Sequence, residues 1–158
     1  MSKNISISKY IIEKKKLKRL KKKIVMTNGC FDIIHPGHIR ILKESKKLGD
    51  ILVVLVNSDL SVKKNKGKKR PIQKQKDRIE VLCSIRYVDY VIMFSDKEPT
   101  KLYKKFLPEI LTKGNEYNKD MIAGAKEVIK GGGKLKLINM KKNFSTTRII
   151  KKIIKWSL

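Results

Sequence analysis

Apolar and polar positions follow two patterns along the chain, and the patterns predict strands and helices in alternation. Short continuous apolar runs are typical of strands buried on both faces, and they predict strands over residues 24–26 and 51–56. Three further strands are predicted over 89–94, 109–112 and 134–139. Apolar residues at helical spacing predict helices over about 7–22, from Pro36 onward, and over 77–88, 100–106, 119–130 and 145–156.

This alternation predicts the fold class. Strands separated by helices imply a parallel sheet joined by crossover helices. We therefore expect an α/β fold, a Rossmann-like three-layer sandwich with a five-stranded parallel sheet. Residues 1–22 are predicted to form a basic helical extension before the domain of residues 23–158. The apolar face of that extension is thin, which favours packing on the outside of the domain over binding to a membrane or nucleic acid.

Composition limits the possible classes of protein. The chain has 158 residues, of which 41% are hydrophobic, as expected for a single globular domain. Two cysteines without framework spacing fit a reducing compartment, and no apolar run is long enough to span a bilayer. We expect a cytoplasmic protein without membrane insertion.

The charge is strongly positive, with 40 Lys and Arg residues against 14 Asp and Glu residues and a net charge of +26. Such a field attracts polyanions, and a basic nucleic-acid-binding domain is one interpretation. The lysines, however, occur in almost every segment, and aromatic residues make up only 6% of the chain. A compositional bias towards lysine therefore accounts for most of the positive charge, and no specific nucleic acid is expected as a partner.

The segment 27–38, TNGCFDIIHPGH, is the clearest candidate for chemistry. It lies between a predicted buried strand and an amphipathic helix, where open α/β sheets usually bind ligands. Pro36 suits the first helical turn, Gly37 lets a ligand approach the main chain, and the helix start favours an anion. His35 and His38 add side-chain donors. The segment predicts a phosphate-handling site.

Three further loops are expected at the same edge of the sheet. The loop after Asn57 is basic and is predicted to be a mobile lid, or else a plain flexible loop, and Arg78 opens the next predicted helix. The segment 113–117 follows the fourth predicted strand, and 144–148 stands at the start of the last helix, with Ser145 as a good N-cap. A structural zinc site is disfavoured because Cys30 and Cys83 lie far apart. No Ser or Cys nucleophile with a base is evident, so covalent catalysis is not indicated.

The string NGCFDIIHPGH, together with KLGD at 47–50 and VNSD at 56–59, resembles the nucleotidyltransferase superfamily with an H-x-G-H signature. Within it, the chain from about 23 to 154 is most similar to the adenylyltransferases of bacterial ADP-heptose synthesis. The resemblance makes residues 23–158 a nucleotidyltransferase domain, 63–70 a lysine-rich lid, and 145–147 a second helix start at the ATP phosphates. Asn115 stands where the family has a glycine.

The resemblance implies transfer of AMP from ATP to a sugar 1-phosphate, D-glycero-D-manno-heptose 1-phosphate, with Mg²⁺ bridging phosphates. It assigns catalysis to His35, His38 and Lys66. The expected nucleotide contacts are Cys30, Phe31, Gly37, Asn57, Lys113, Gly114, Ser145, Thr146 and Thr147. The expected phosphate contacts are Lys64, Arg70 and Arg78. No metal ligands are expected in the protein.

Alternatives remain open at this point. A cytidylyltransferase that uses CTP and glycerol phosphate or another polyol phosphate is the second enzyme hypothesis, although residues 139–144 differ from the RTxGI string of glycerol-phosphate cytidylyltransferases. Relatives of this kind suggest a homodimer. They are often fused to a sugar kinase, which is expected here as a separate protein.

Overall fold

The computed structural model describes residues 3–116, 118–140 and 144–156. Tyr117, the last residue of the predicted 113–117 site segment, lies outside the described residues. The strands are β1 (Ile24–Gly29), β2 (Ile51–Asn57), β3 (Tyr90–Phe94), β4 (Ile110–Gly114) and β5 (Lys134–Ile138). The helices are α1 (Ile7–Arg19), α2 (Pro36–Lys46), α3 (Asp59–Lys66), α4 (Gln75–Ser84), α5 (Thr100–Phe106), α6 (Ala125–Lys130) and α7 (Thr146–Trp156), with a 3₁₀ turn at Lys119–Met121.

The five strands form one sheet in the order β3-β2-β1-β4-β5, and each adjacent pair is parallel. The predicted Rossmann-like α/β fold is confirmed. The chain moves outward from β1 through β2 to β3 and then returns to the other side of β1 at β4. The crevice between the carboxyl ends of β1 and β4 is therefore the topological switch point, where open α/β sheets bind ligands.

Alternating side chains of the buried strands fill two cores, one on each face of the sheet. Ile24 and Met26 of β1 pack with residues of α1, α5 and α6, whereas Val25 packs with residues of α2 and α4. Both faces are covered, which explains why the central strands are continuous apolar runs.

Helix α1 contributes directly to one of these cores. The Tyr10 ring is fully buried, with its centroid 4.9 Å from that of Phe106 and 6.0 Å from that of Tyr90. The residues before α1 pair with the outer strand β3, because Ile5 N donates to Val91 O at 3.0 Å and Val91 N donates to Lys3 O at 2.8 Å. The basic extension thus packs along the sheet and beside its β3 edge.

Two predicted segments differ from the structure. Residues 59–66, predicted as part of a long mobile loop, form helix α3. Ser58 caps α3 by accepting from Ser61 N, and Val62 is fully buried, but the surrounding lysines conceal this short apolar face in the sequence. The predicted helix 119–130 is a 3₁₀ turn followed by α6, because Gly124 adopts a positive φ of 81° against the Tyr103 side chain.

Helix α7 lies largely on the surface. No residue of α7 is buried, and Ile153, Ile154 and Trp156 are 54%, 56% and 77% exposed. Among the described residues, the helices are all too short or too polar to cross a bilayer.

Candidate active site

A cleft of about 470 Å³ opens at the carboxyl ends of β1, β2 and β4, at the switch point of the sheet. It brings together residues from all four loops that the sequence predicts to converge. The predicted site residues that line it are Cys30, Phe31, His35, His38, Asn57, Lys66, Arg70, Lys113, Gly114, Ser145, Thr146 and Thr147.

The two histidines form a stacked pair at the start of α2. His35 is the N-cap in extended conformation, and its Nδ1 accepts from His38 N at 3.4 Å. The two ring centroids lie 3.8 Å apart at an interplanar angle of 21°. Since Nδ1 of His35 acts as an acceptor, the proton of the neutral ring is on Nε2. His35 can therefore offer an Nε2–H donor.

Both imidazoles are neutral at pH 7. Burial lowers the pKa of His35. Burial and the neighbouring His35 lower the pKa of His38 to about 3. The pair thus supplies single N–H donors rather than two cations.

Gly37 does not line the cleft but makes room for the pair. A Cβ at Gly37 would lie 3.0 Å from both Cε1 and Nδ1 of His35. Contacts that tight force the neighbour to shift, so the absence of a side chain allows His35 to occupy its position. The predicted direct nucleotide contact at Gly37 stays a prediction.

The loop between β1 and α2 turns sharply at Phe31, which has a positive φ of 48°, uncommon for a residue with a side chain. The Phe31 ring is buried, with its centroid 5.1 Å from that of His38. A Cβ at Gly29 would lie 3.0 Å from the same ring. The Phe31 ring therefore packs against the His38 ring of the histidine pair.

Asp32 anchors the basic segment after α3, a role that the sequence reasoning missed. Its buried carboxylate accepts from Arg70 Nε at 2.5 Å and from the backbone N–H groups of Ile72 and Gln73 at 2.9 Å. Burial alone would raise the pKa of Asp32, but the two N–H groups and Arg70 outweigh it and lower the pKa. One available signal was an acidic residue inside the glycine-histidine motif of a very basic chain.

The predicted phosphate contact at Arg78 is wrong. Its side chain is fully buried and does not line the cleft. The guanidinium donates to the carbonyl oxygens of Cys30 at 2.5 Å and Asn57 at 2.8 Å, and to Asp59 Oδ1 at 2.9 Å. Because these bonds use the guanidinium inside the protein, Arg78 joins the ends of β1 and β2 instead of reaching a substrate.

The lysines of α3 have different positions. Lys66, at the end of the helix, is exposed and lines the cleft. Lys64 is also exposed but is not among the residues that line it. Direct phosphate binding by Lys64 therefore has no support in the cleft geometry, whereas Lys66 and Arg70 lie where an anionic ligand would meet them.

A polar cluster of Asn28, Lys113 and Tyr103 lies between β1, β4 and α5. Lys113 Nζ donates to Asn28 O at 2.7 Å and to Asn28 Oδ1 at 2.9 Å. Tyr103 Oη donates to the same Oδ1 at 3.1 Å. Burial lowers the pKa of Lys113 to about 8. The sequence analysis assigned a role to Lys113 but not to Asn28, although Asn28 lies in the 27–38 motif, nor to Tyr103, which has no distinguishing pattern in the sequence.

Asn115, which stands where the family has a glycine, joins the loop after β4 to the loop after β5. The Asn115 side chain donates to Asn139 Oδ1 at 3.2 Å and accepts from Met140 N at 3.1 Å. Met140 lies against Gly114, where a Cβ would be 2.9 Å from Met140 Cγ. Asn115 thus holds Met140 at the rim of the cleft.

The start of α7 meets the histidine loop on the other side. Ser145 Oγ accepts from Arg148 N at 3.2 Å, which confirms the predicted N-cap. Thr146 Oγ1 donates to Ile33 O at 3.4 Å. The first turn of α7 also presents backbone N–H groups without intrahelical acceptors, so two helix N-termini border the cleft.

The family model described as cytidylyltransferase-like matches residues 26–152, most of the chain and all four loops of the cleft. The chain belongs to the cytidylyltransferase-like family. The resemblance to nucleotidyltransferases found in the sequence is confirmed, and the chain is a nucleotidyltransferase enzyme.

Individual relatives agree with this family. The chain is 50% identical over 131 residues to the bifunctional protein HldE of Haemophilus influenzae (strain PittEE), which covers 83% of this chain and 28% of that protein. It is 48% identical over 131 residues to HldE of Coxiella burnetii (strain Dugway 5J108-111), again covering 83% and 28%. The chain therefore spans little more than a quarter of the length of these relatives.

Two solved structures have the same fold. A lipopolysaccharide core biosynthesis protein from Thermoplasma volcanium is 36% identical, with a TM-score of 0.63 over 78% of this chain and 99% of that chain. Pantoate-beta-alanine ligase from Francisella tularensis is 16% identical, with a TM-score of 0.53 over 87% and 71%. The second likeness shows the fold alone.

Proposed function

We propose that this cytidylyltransferase-like enzyme transfers AMP from ATP to a sugar 1-phosphate, D-glycero-β-D-manno-heptose 1-phosphate, and forms ADP-heptose and pyrophosphate. The observation that carries the proposal is the His35–His38 pair, which faces the start of α7 across one cleft with Lys66 and Arg70. The motif resemblance to ADP-heptose adenylyltransferases supports the acceptor. The related T. volcanium protein is named for lipopolysaccharide core biosynthesis, which is consistent with a heptose product.

The reaction proceeds by in-line displacement. A phosphate oxygen of the sugar 1-phosphate forms a bond to the α-phosphorus of ATP, while the bond from that phosphorus to the α–β bridging oxygen breaks. Pyrophosphate leaves with the electron pair. The attacking phosphate is already anionic, so no general base is required, and catalysis consists of positioning and charge stabilisation.

The neutral histidines stabilise the transferring group. His35 Nε2–H donates to an oxygen of the α-phosphate, and His38 lies nearest the bridging oxygen. The N–H groups at the start of α7 bind the triphosphate, as helix N-termini bind anions. Donors of this kind, aimed at developing charge in a closed site, typically contribute 10²–10³-fold to turnover (about 2.7–4 kcal/mol).

Cations provide the remaining neutralisation. Lys66 at the end of α3 and Arg70, held by Asp32, bind the phosphates of the departing pyrophosphate or of the sugar. Arg70 is suited to this because its Nε is fixed on the carboxylate and its two terminal nitrogens remain to face the cleft.

In this proposal, Mg²⁺ is not held by a dedicated group of protein ligands. The part of the chain that the structure describes has no group of three or more His, Cys, Asp or Glu side chains able to share a metal ion. We propose that Mg²⁺ arrives coordinated by the ATP phosphates and water, in keeping with its reluctance to dehydrate. No step above depends on a metal held by the protein.

Specificity for ATP follows from the resemblance to ADP-heptose adenylyltransferases. Met140 and Phe144, at the rim near Ser145, offer apolar surface to a base. The cytidylyltransferase-like description of the family keeps CTP with a polyol phosphate as the second candidate.

The test is pyrophosphate release with Mg²⁺, using ATP or CTP with a panel of sugar and polyol phosphates. We expect turnover with ATP and heptose 1-phosphate, and a loss of at least about 100-fold when His35 and His38 are both changed to Ala. The exposed Lys104→Ala variant, on the outer face of α5, is the matched control. Turnover with CTP alone would favour the second candidate, and full activity of the double variant would reject the mechanism.

We further propose a cytoplasmic homodimer whose sugar 1-phosphate is supplied by a sugar kinase activity. The exposed apolar residues of α7, including Ile154 and Trp156, support self-association. Free Cys30 and Cys83 and the use of ATP support the location. Sedimentation of wild type against Ile154→Glu tests the dimer, which the charged variant should weaken.

A further inference from the structure

The side-chain amide of Asn28 is fixed in one orientation. Lysine has no hydrogen-bond acceptor, so the Asn28 atom 2.9 Å from Lys113 Nζ must be the oxygen. Tyr103 Oη donates to the same oxygen, the Tyr103 side chain is fully buried, and burial lowers the pKa of Lys113. The amide therefore cannot flip without leaving a buried donor without its acceptor.

This orientation leaves the other end of the amide available to a ligand. With Oδ1 held by two donors, the Nδ2 amino group points away from Lys113 and Tyr103. Asn28 lines the cleft, and none of the described residues accepts a hydrogen bond from its Nδ2. The cleft thus contains a pre-oriented pair of N–H donors that the mechanism above does not use.

Because side chains of β1 alternate between the two faces of the sheet, the Asn28 amide lies at one particular end of the cleft. Ile24 and Met26 face the core of α1, α5 and α6, and Asn28 continues that row. The histidine pair belongs to α2, on the opposite face of the sheet. Two ends of the cleft are therefore distinguished, one with the histidines and α7, the other with Asn28 and α5.

The Asn28 end has two ammonium groups close to the amide. The ammonium of Lys113 lies against Asn28, and the charge of Lys66 is near enough to oppose that of Lys113. Glu98 and Glu116 also line the cleft, and Glu116 lies near enough to Lys113 to favour its charged form. N–H donors beside two ammonium groups match a phosphate oxygen.

We propose that the Asn28 amide donates to the phosphorylated acceptor, and that Lys113 and Tyr103 are positioning residues that aim it. The inference rests on the proposed function and adds a specificity-determining contact for the acceptor, distinct from the nucleotide contacts at the histidine end. The amide selects an oxygen at that point, because a ligand that offers a donor there would face N–H groups.

Asn28→Asp is the decisive variant because it keeps the shape and the Oδ1 acceptor and replaces only the outward amino group with an oxygen. Lys113 would pair with the new carboxylate, so the melting temperature should not fall. The KM for heptose 1-phosphate should rise about tenfold or more, since a donor to a charged oxygen is lost and a negative charge is added. The KM for ATP should change by less than about twofold.

Asn118→Asp is the matched control, because Asn118 is exposed, lies outside the cleft and uses its Oδ1 only to accept from Asp120 N. Tyr103→Phe is a second variant without a charge change. It removes one of the two bonds that aim the amide, so it should raise the acceptor KM by a smaller factor and leave the KM for ATP unaltered.

The outcomes are separable. A wild-type acceptor KM in Asn28→Asp and Tyr103→Phe would show that the cluster is only structural and would overturn the inference. A rise in the KM for ATP instead would also overturn it, by assigning the amide to the nucleotide. If the wild-type enzyme releases no pyrophosphate with heptose 1-phosphate, the proposed function fails, and the same Asn28→Asp comparison with whichever acceptor is used decides the inference.

Discussion

His38 lies in an environment very different from that of the free amino acid in solution. Its ring lies between His35 and Phe31, and burial together with His35 lowers its pKa to about 3. The His38 ring therefore stays neutral at pH 6.5, where a free histidine side chain would be half protonated. The single N–H donor of the His38 ring at pH 7 is therefore also present at pH 6.

This lowered pKa predicts how stability changes with pH. Between pH 6.5 and about 3, the unfolded chain binds a proton at His38 that the folded protein does not, so the free energy of unfolding falls as the pH falls. His38→Asn should remove this contribution and flatten the curve. Urea unfolding of both proteins at pH 7 and pH 5 measures it. Parallel curves for the two proteins would contradict a lowered pKa at His38.

A second prediction at the residue scale concerns the loss of the Asp32 charge. Asp32→Asn removes the charge that holds Arg70 and turns one acceptor into a donor facing the Ile72 and Gln73 N–H groups. We expect a loss of about 1.5–3 kcal/mol in the free energy of unfolding, together with a higher KM for ATP or for the sugar phosphate. Denaturant melts and steady-state kinetics measure both. The exposed Asp120→Asn variant makes the same charge change and should leave both values near wild type.

The sequence predicted side chains whose chemistry is local and missed those whose partners are distant. His35, His38 and Ser145 belong to one turn each, so spacing alone located them. Asp32 binds groups 38 to 41 residues away, and Arg78 binds groups up to 48 residues away. An arginine that opens a helix near a phosphate site has the same local pattern whether it faces the cleft or the core, and only packing decides between the two.

At the scale of elements, the strongest prediction concerns Arg78, which joins several elements. Its guanidinium connects α4 to the ends of β1 and β2 and to the first turn of α3. Arg78→Met leaves two buried carbonyl oxygens without donors, and we expect a loss of about 3 kcal/mol or more in the free energy of unfolding. Urea unfolding measures it. Arg86→Met, just after the same helix and exposed, is the control, and equal stability of the two variants would refute the joint.

Element existence was predictable wherever the apolar pattern was long. All five strands and their alternation with helices, apart from α3, were predicted, and the central strands are apolar because both faces of the sheet are covered. Helix α3 was not predicted, because one fully buried apolar residue, Val62, and a capping serine stabilise it among exposed lysines. The segment predicted to be a mobile lid is thus a capped helix that delivers Lys66 to the cleft from its last turn.

At the scale of the whole molecule, the net charge of +26 predicts binding to polyanions without a dedicated site. Affinity for duplex DNA should be independent of sequence and should fall by more than about tenfold between 50 and 200 mM salt. Fluorescence anisotropy with two unrelated duplexes measures it. Tight binding that survives physiological salt, with no nucleotide turnover, would instead favour the nucleic-acid-binding hypothesis.

The pairing of residues 3–5 with Val91 has a consequence for aggregation. Strand β3 is the outermost strand on its side, and an open strand edge is a template on which further chains can add. The first residues occupy part of that edge, and Tyr10 seals the core behind it. A protein shortened to begin at Lys23 would keep every residue of the cleft, yet it would offer a bare, apolar β3 to its neighbours. We therefore expect the leading segment to protect solubility, and turbidity of the shortened chain on warming should reveal its loss.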